Sequence, residues 1–287
     1  MLKRYFAWLR ANLFPMPRTM LELDQSAAEF VNSLWQEGDP HGYAGDLISG
    51  LSRFVPAARL HLSTTRLFFR NWTRTLTRVR AIPASAKIVR AFAGVALGMR
   101  RIDLMALFLA GFFGVLRTAE IFSLTAGQLV FGPGCRSVLL RLPQTKTTGR
   151  RNAPEHVLIQ DPCVAAALKL ASHGLHEQER IHRTRPENFG KELKLVALRL
   201  GFVSDKLTPY TFRRGGATWW FKATGSIDAV AARGRWSQVR TARLYVDSAL
   251  VDECTWALSK IGEDLANFAT SVLSEKLSAT SRGLQCA

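Results

Sequence analysis

A chain of 287 residues, 47% of them hydrophobic, can bury a sizeable core in one large domain or two smaller ones. Its 39 lysines and arginines against 22 acidic residues leave a formal charge of +17. That excess favours a polyanionic partner, and the planar arginine fork ranks nucleic acid above an anionic membrane, with a merely soluble basic surface as the bland alternative. Cys135, Cys163, Cys254 and Cys286 are widely separated and form no CxxC pair, which argues against a zinc site or disulfide framework and for a reducing, intracellular compartment.

In chain order, MLKRYFAWLRANLF is broken by Arg10 and has no small-residue cleavage site, so it is not read as a secretory signal. Residues 1 to about 80 are expected to form short helices. In SAAEFVNSLWQEG, Ala27, Phe30, Val31 and Leu34 recur at helical spacing, with Ser26 as N-cap and Gly38 as the stop. A helical piece over 44–55 follows. The segment STTRLFFRNWTRTLTRVR, 63–80, sets Arg66, Arg70, Arg74, Arg78 and Arg80 around Leu67, Phe68, Trp72 and Leu76, without an acid. Such a basic amphipathic helix suits a phosphate backbone, the alternative being a membrane-surface or partner-binding helix.

Pro83 in AIPAS, 81–85, interrupts the helical pattern and predicts a linker, dividing the chain into domains at 1–82 and 83–287. From 86 to 125 two long apolar helices are expected, the second running through FFGVLRTAEIFSL. The run LMALFLAGFFGVL, 104–116, is too short for a membrane span and ends at Arg117, so it reads as a buried helix. SVLLRLPQTKTTGRRNAPEHVLI predicts strands near 137–142 and 155–159 around a lysine-bearing loop or hairpin. Helix then resumes, so the fold class is mainly α with a small β-sheet or hairpin (α+β). Near the end, Ile261, Leu265, Phe268, Val272 and Leu273 fall on one expected helical face.

Arg117 and Glu120, three apart, are expected to share a helical face, either as a partly buried ion pair or with Glu120 orienting Arg117 towards an external anion. Arg213 and Arg214 follow Pro209, a helix-start signal. Gly215, Gly216 and Ala217 allow another backbone or a ligand to come close. Further on, GRWSQVRTARLYVD brings Trp236, then Arg240 and Arg243, then Tyr245.

The order GVLRTAE, a lysine in PQTKTTG, YTFRRGGAT, GRWS and a tyrosine beyond it resembles the catalytic domain of the tyrosine recombinases, the phage-integrase family. The resemblance covers roughly residues 85–250 and implies a helical, core-binding-like DNA-binding domain ahead of a catalytic domain. It implies site-specific cleavage and rejoining of double-stranded DNA, in recombination or integration, with a mobile element as the expected source. It assigns Tyr245 as the nucleophile that forms a 3′-phosphotyrosine, with Arg117 and Arg213 as the phosphate clamp and Glu120 beside Arg117. Lys146 is the expected acid for the leaving 5′-oxygen, its pKa lowered by two arginines, with Lys169 as the alternative. Trp236 is expected to donate its indole N–H to a phosphate oxygen and, with the other tryptophans, to wall the pocket from water. Tyr210 stands where the family has histidine, and a phenol is a poor base near neutral pH.

Arg66, Arg70, Arg74, Arg78, Arg214 and Arg240 are the expected DNA contacts. No cofactor, metal or membrane is called for. Self-association on DNA, as dimer or tetramer, is expected, and the C-terminal helix docks either on a neighbouring protomer or on its own domain. The location follows the DNA: the nucleus in a eukaryote, the cytoplasm or nucleoid in a bacterium or phage. A relative that binds DNA but has lost cleavage is the second reading. A type IB topoisomerase shares the chemistry but is expected to be larger, with histidine in place of Trp236.

Overall fold

The computed structural model describes residues 1–76, 81–142, 154–202, 207–248, 251–252 and 259–283, with side chains to 279. The chain is mainly helical with one small antiparallel sheet. It divides into two compact units, Met1–Val79 and Arg80–Ala287.

The first unit holds α1 (Leu2–Ala11), α2 (Met20–Gln36), α3 (Gly42–Phe54), α4 (Ala58–His61) and α5 (Ser63–Thr75). Ala27, Phe30, Val31 and Leu34, at the expected helical spacing, are buried with Tyr5, Leu9, Leu47 and Leu51. Helix α2 starts earlier than expected. Thr19 is its N-cap: Glu22 N donates to Thr19 Oγ1 at 3.2 Å while Thr19 N donates to Glu22 Oε2 at 3.3 Å, a reciprocal pair that satisfies two orphan donors. Ser26 therefore lies inside the helix, buried and hydrogen-bonded to Tyr5 Oη at 2.6 Å. Gly38 ends the element as expected, with φ of +73°.

The N-terminus of α5 is satisfied from outside the helix. Asp24 of α2 accepts Thr64 N, Thr65 N and Thr65 Oγ1 at 2.8 Å each and Ser63 Oγ at 3.2 Å. Trp72 is buried, Arg70 and Arg74 are exposed, and half-buried Arg66 donates to Arg59 O at 3.1 Å. Arg78 and Arg80 lie outside the described residues.

The second unit contains α6 (Ala86–Gly98), α7 (Ile102–Phe113), α8 (Thr118–Ser123), β1 (Leu129–Phe131), β2 (Val138–Leu142), β3 (Glu155–Ile159), α9 (Pro162–Ser172), α10 (Pro186–Arg199), α11 (Tyr210–Thr224), α12 (Ile227–Gly234), α13 (Val239–Arg243) and α14 (Lys260–Gly283). Helix α7 is buried from Leu104 to Phe113 and packs against α6, α9 and α11, so the apolar run expected to be a buried helix is the centre of the core. The strands run in the order β1-β2-β3, all antiparallel, with Leu142 opposite Glu155 where β2 ends and β3 begins. Three-residue β1, paired Leu129 to Leu140, is too short to show an alternation in sequence.

The helix expected to run through FFGVLRTAEIFSL breaks instead. Leu116 N donates to Gly111 O and Val115 N to Phe112 O, each at 3.1 Å, with Val115 at φ +49°. This is a Schellman closure whose left-handed position holds a β-branched residue rather than glycine, at a cost of about 1–3 kcal/mol. Helix α12 closes in the same way: Trp236 N donates to Ala231 O at 2.9 Å and Arg235 N to Ala232 O at 3.1 Å, with Arg235 at φ +56°.

The segment expected to be a linker, 81–85, packs within this unit: Ala84 is buried and its N–H donates to Thr211 O at 3.3 Å. A Cβ on Gly215 would collide with the Ala84 carbonyl, and one on Gly216 with that of Phe112. The close approach foreseen for these glycines is therefore made by two backbones. Helix α14 packs on α6, burying Ala266, Ala269, Leu273 and Leu277. The five apolar residues expected on one of its faces part company. Leu273 points to the core while Ile261, Leu265 and Phe268 face solvent, Phe268 with 69% of its surface exposed, because at 3.6 residues per turn they follow the next stripe.

Candidate active site

Both Schellman closures end beside one side chain. Arg213, in the first turns of α11 and 3% exposed, donates through Nη1 to Val115 O and through Nη2 to Gly234 O, the latter at 2.7 Å. Its guanidinium carbon lies 4.4 Å from the centre of the Trp236 ring and 5.7 Å from that of Tyr245. Trp236 and Tyr245 pack on each other with ring centroids 4.6 Å apart. The cation is thus held from two sides by carbonyls and covered by two aromatic faces. Burial pushes the Arg213 pKa down to about 10, with repulsion from Arg117 and then Arg235 adding to it; the group remains a cation at neutral pH.

Arg117 does not share a helical face with Glu120. It is the N-cap of α8, and Glu120 in the first turn reaches back to it: Arg117 N donates to Glu120 Oε2 at 2.7 Å and Arg117 Nη1 to Oε1 at 2.5 Å. Glu120 is 4% exposed, and a buried carboxylate at a helix N-terminus is favoured by the exposed amides there. Arg117 Nη2 also donates to Arg235 O at 3.0 Å. The Gly234–Trp236 turn therefore receives Arg213 on one carbonyl, Arg117 on the next, and places its indole over Arg213.

Two residues not singled out from sequence complete the charge cluster. Arg235 Nη2 pairs with Glu120 Oε2, and Arg235 Nε lies 3.0 Å from Glu155 Oε2. The second tie is ionic, without hydrogen-bond alignment. Arg117 Nη1 is 3.7 Å from the same Glu155 oxygen. Burial lowers the Arg235 pKa, opposed by Glu120. Among the described residues, three guanidiniums thus face two carboxylates, an excess of positive charge at one end of α11. The signal in sequence was faint: Arg235 directly precedes Trp236 with no acid nearby in the chain, and its partners are 115 and 80 residues away.

The other expected residues fall in different places. Tyr210, 51% exposed, lies alongside Tyr245 with ring centroids 6.4 Å apart. Arg214, expected on DNA, is turned inward at 4% exposure, donates to Ala81 O and pairs with Asp247 at 3.5 Å, so it ties residues 81–84 to α11. Arg240 is exposed in α13. Lys146 lies outside the described residues, and the alternative Lys169 sits in the last turn of α9, within electrostatic reach of Cys135. Of the described tryptophans, only Trp236 covers Arg213. Trp219 packs against Phe112 and Phe113, and Trp220 beneath Arg233, because α11 turns them towards the core and α12.

No family model matches the chain, and no curated protein matches it. Among solved structures it is similar to the crystal structure of XerA recombinase, at 13% identity and a TM-score of 0.47 over 88% of this chain and 96% of that one. It is also similar to XerH site-specific recombinase bound to difH substrate in a pre-cleavage complex, at 11% identity and 0.49 over 82% and 78%. A post-cleavage complex of XerH with palindromic difH substrate gives 10% identity and 0.48 over 79% and 74%.

Proposed function

We propose that the protein cleaves and rejoins DNA strands through a covalent bond between Tyr245 and phosphate, as a tyrosine-type site-specific recombinase or integrase. The observation that supports it most is the convergence of Arg117, Arg213, Trp236 and Tyr245, from three separate stretches of chain, on the Gly234–Trp236 turn. In this reading the half-buried Tyr245 phenol gives up its proton to water and its oxygen attacks the phosphorus. The bond from phosphorus to the 5′-oxygen breaks, and that oxygen gains a proton, for which Lys146 is the proposed donor. The reverse steps rejoin the strand, so no external energy source is needed. Arg117 and Arg213, held before any substrate arrives, offset the negative charge that builds on the non-bridging oxygens.

The preformed hydrogen bonds of both arginines to main-chain carbonyls support such a role, since each Nη carries a second N–H to offer. Trp236 contributes its ring face to Arg213 in the DNA-free site. Exposed Arg70, Arg74 and Arg240 are the proposed backbone contacts, and the exposed Ile261, Leu265 and Phe268 stripe of α14 the proposed surface for self-association on DNA.

Tyr210 in the histidine place favours one competing reading, a DNA-binding protein that no longer cuts. The two part on incubation of the purified chain with supercoiled plasmid, scored for relaxation and detergent-resistant protein–DNA adduct beside Tyr245→Phe. Adduct from the native chain and none from the variant, at similar DNA affinity, is the expected result. Binding by both with cutting by neither would make the binding-only reading the better one.

A further inference from the structure

Arg235 has no place in the reaction just described, yet like Arg117 it reaches both carboxylates of the site, and it is the nearer cation to Glu155. We propose that Arg235 is a positioning residue: by satisfying Glu120 and Glu155 it keeps the Arg117 guanidinium available to a phosphate. This rests on the reading of the site as one that binds a phosphate group.

Charge is balanced here in a place water reaches poorly. Glu120 is 4% exposed and the Arg235 side chain 8%, so an unmatched charge there is neither hydrated nor screened. Glu120 accepts the Arg117 guanidinium on Oε1, and the Arg117 amide and the Arg235 guanidinium on Oε2. Glu155, at the start of β3, has Arg235 Nε at 3.0 Å and Arg117 Nη1 at 3.7 Å from the same oxygen. Arg235 is the nearer cation and holds Glu155; Arg117 is the next in line. Without the Arg235 side chain, Arg117 would be the one cation among the described residues in ion-pair range of both carboxylates. That guanidinium would be neutralised and drawn towards β3, away from Arg213 under Trp236 and Tyr245. The main-chain role of Arg235 is separate, since its carbonyl would still accept Arg117 Nη2 in an alanine variant.

Charge balance makes a prediction that a direct contact or a packing role does not: a second substitution, removing the surplus carboxylate, restores what the first one lost. The test is equilibrium dialysis of inorganic phosphate at low ionic strength against the full chain, Arg235→Ala, and Arg235→Ala/Glu155→Gln, with plasmid adduct measured in parallel. Arg235→Ala should lose phosphate affinity by about tenfold or more, the scale of one charge-assisted contact, and the double variant should return to within about threefold of the native chain, as expected when the two sites are coupled. A double variant no better than the single one, with native near-UV spectra throughout, would show that Arg235 touches the anion itself or only supports the fold, and would overturn the proposal. If Arg235→Ala does not fold, Arg235→Gln and Arg235→Gln/Glu155→Gln make the same comparison. A native chain that does not bind phosphate would sink both this inference and the phosphate-site reading. Loss and rescue of phosphate binding without any adduct would leave the charge balance standing and remove the cleavage reading.

Discussion

Arg213 keeps its charge where burial and two neighbouring guanidiniums oppose it. What holds it is geometry: two carbonyls turned inward by left-handed residues, and an indole laid across the guanidinium. The indole lies in turn on Gly234, where a Cβ would run into the Trp236 ring. Gly234→Ala should therefore move Trp236 off Arg213. The expected result is a red-shifted tryptophan emission and about tenfold less adduct, the loss of roughly 1–2 kcal/mol from a partly desolvated cation–π contact. Unchanged emission and adduct would mean that Trp236 does not depend on this close approach. Arg117, Arg213, Trp236 and Tyr245 were legible in the sequence because a fixed order of short boxes carries them. Arg235 and Glu155 were not, because ion pairing over such separations leaves no local pattern.

At the scale of elements, the N-terminus of α5 is capped from α2 by a single carboxylate. Burial disfavours the charge of Asp24, but the amides of Thr65 and Thr64 and their hydroxyls outweigh it and hold its pKa below the usual 3.8. A carboxyl whose folded pKa is depressed contributes stability above its unfolded pKa and loses it as pH falls through the folded value. Asp24→Ala should thus destabilise the first unit by about 2–3 kcal/mol at pH 7, the range for hydrogen bonds to a charged group. The gap from the native chain should close in acid, once pH has fallen through the depressed folded value and the native carboxyl is protonated too. Urea unfolding followed by helical circular dichroism at pH 7 and in acid checks this; a gap independent of pH would assign the effect to packing. The apolar periods of α2 and α7 were readable residue by residue. The start of α2 was misplaced although Thr19 and Glu22 spell a capping pair, and the break after Phe113 had no glycine at its left-handed position to mark it.

Over the whole molecule, the +17 charge would make the proposed DNA binding a matter of counterion release. If Arg70 and Arg74 each meet a phosphate, Arg70→Ala/Arg74→Ala should weaken binding evenly across unrelated duplexes and reduce the slope of log K against log salt by about two. Fluorescence anisotropy with two random-sequence duplexes over a salt series reads both effects; a slope equal to that of the native chain would take α5 off the backbone. Sequence by itself determined the mainly helical class with its small sheet, the buried run of α7 and the order of the arginine, tryptophan and tyrosine boxes, because hydrophobic period and motif order are written along the chain. Tertiary structure alone decided that Arg214 faces inward, that 81–85 packs under α11, that α14 buries its alanine stripe and that Arg235 stands between two carboxylates. Each of these is a choice among partners distant in sequence, made by close packing and by the cost of leaving a buried charge unmatched.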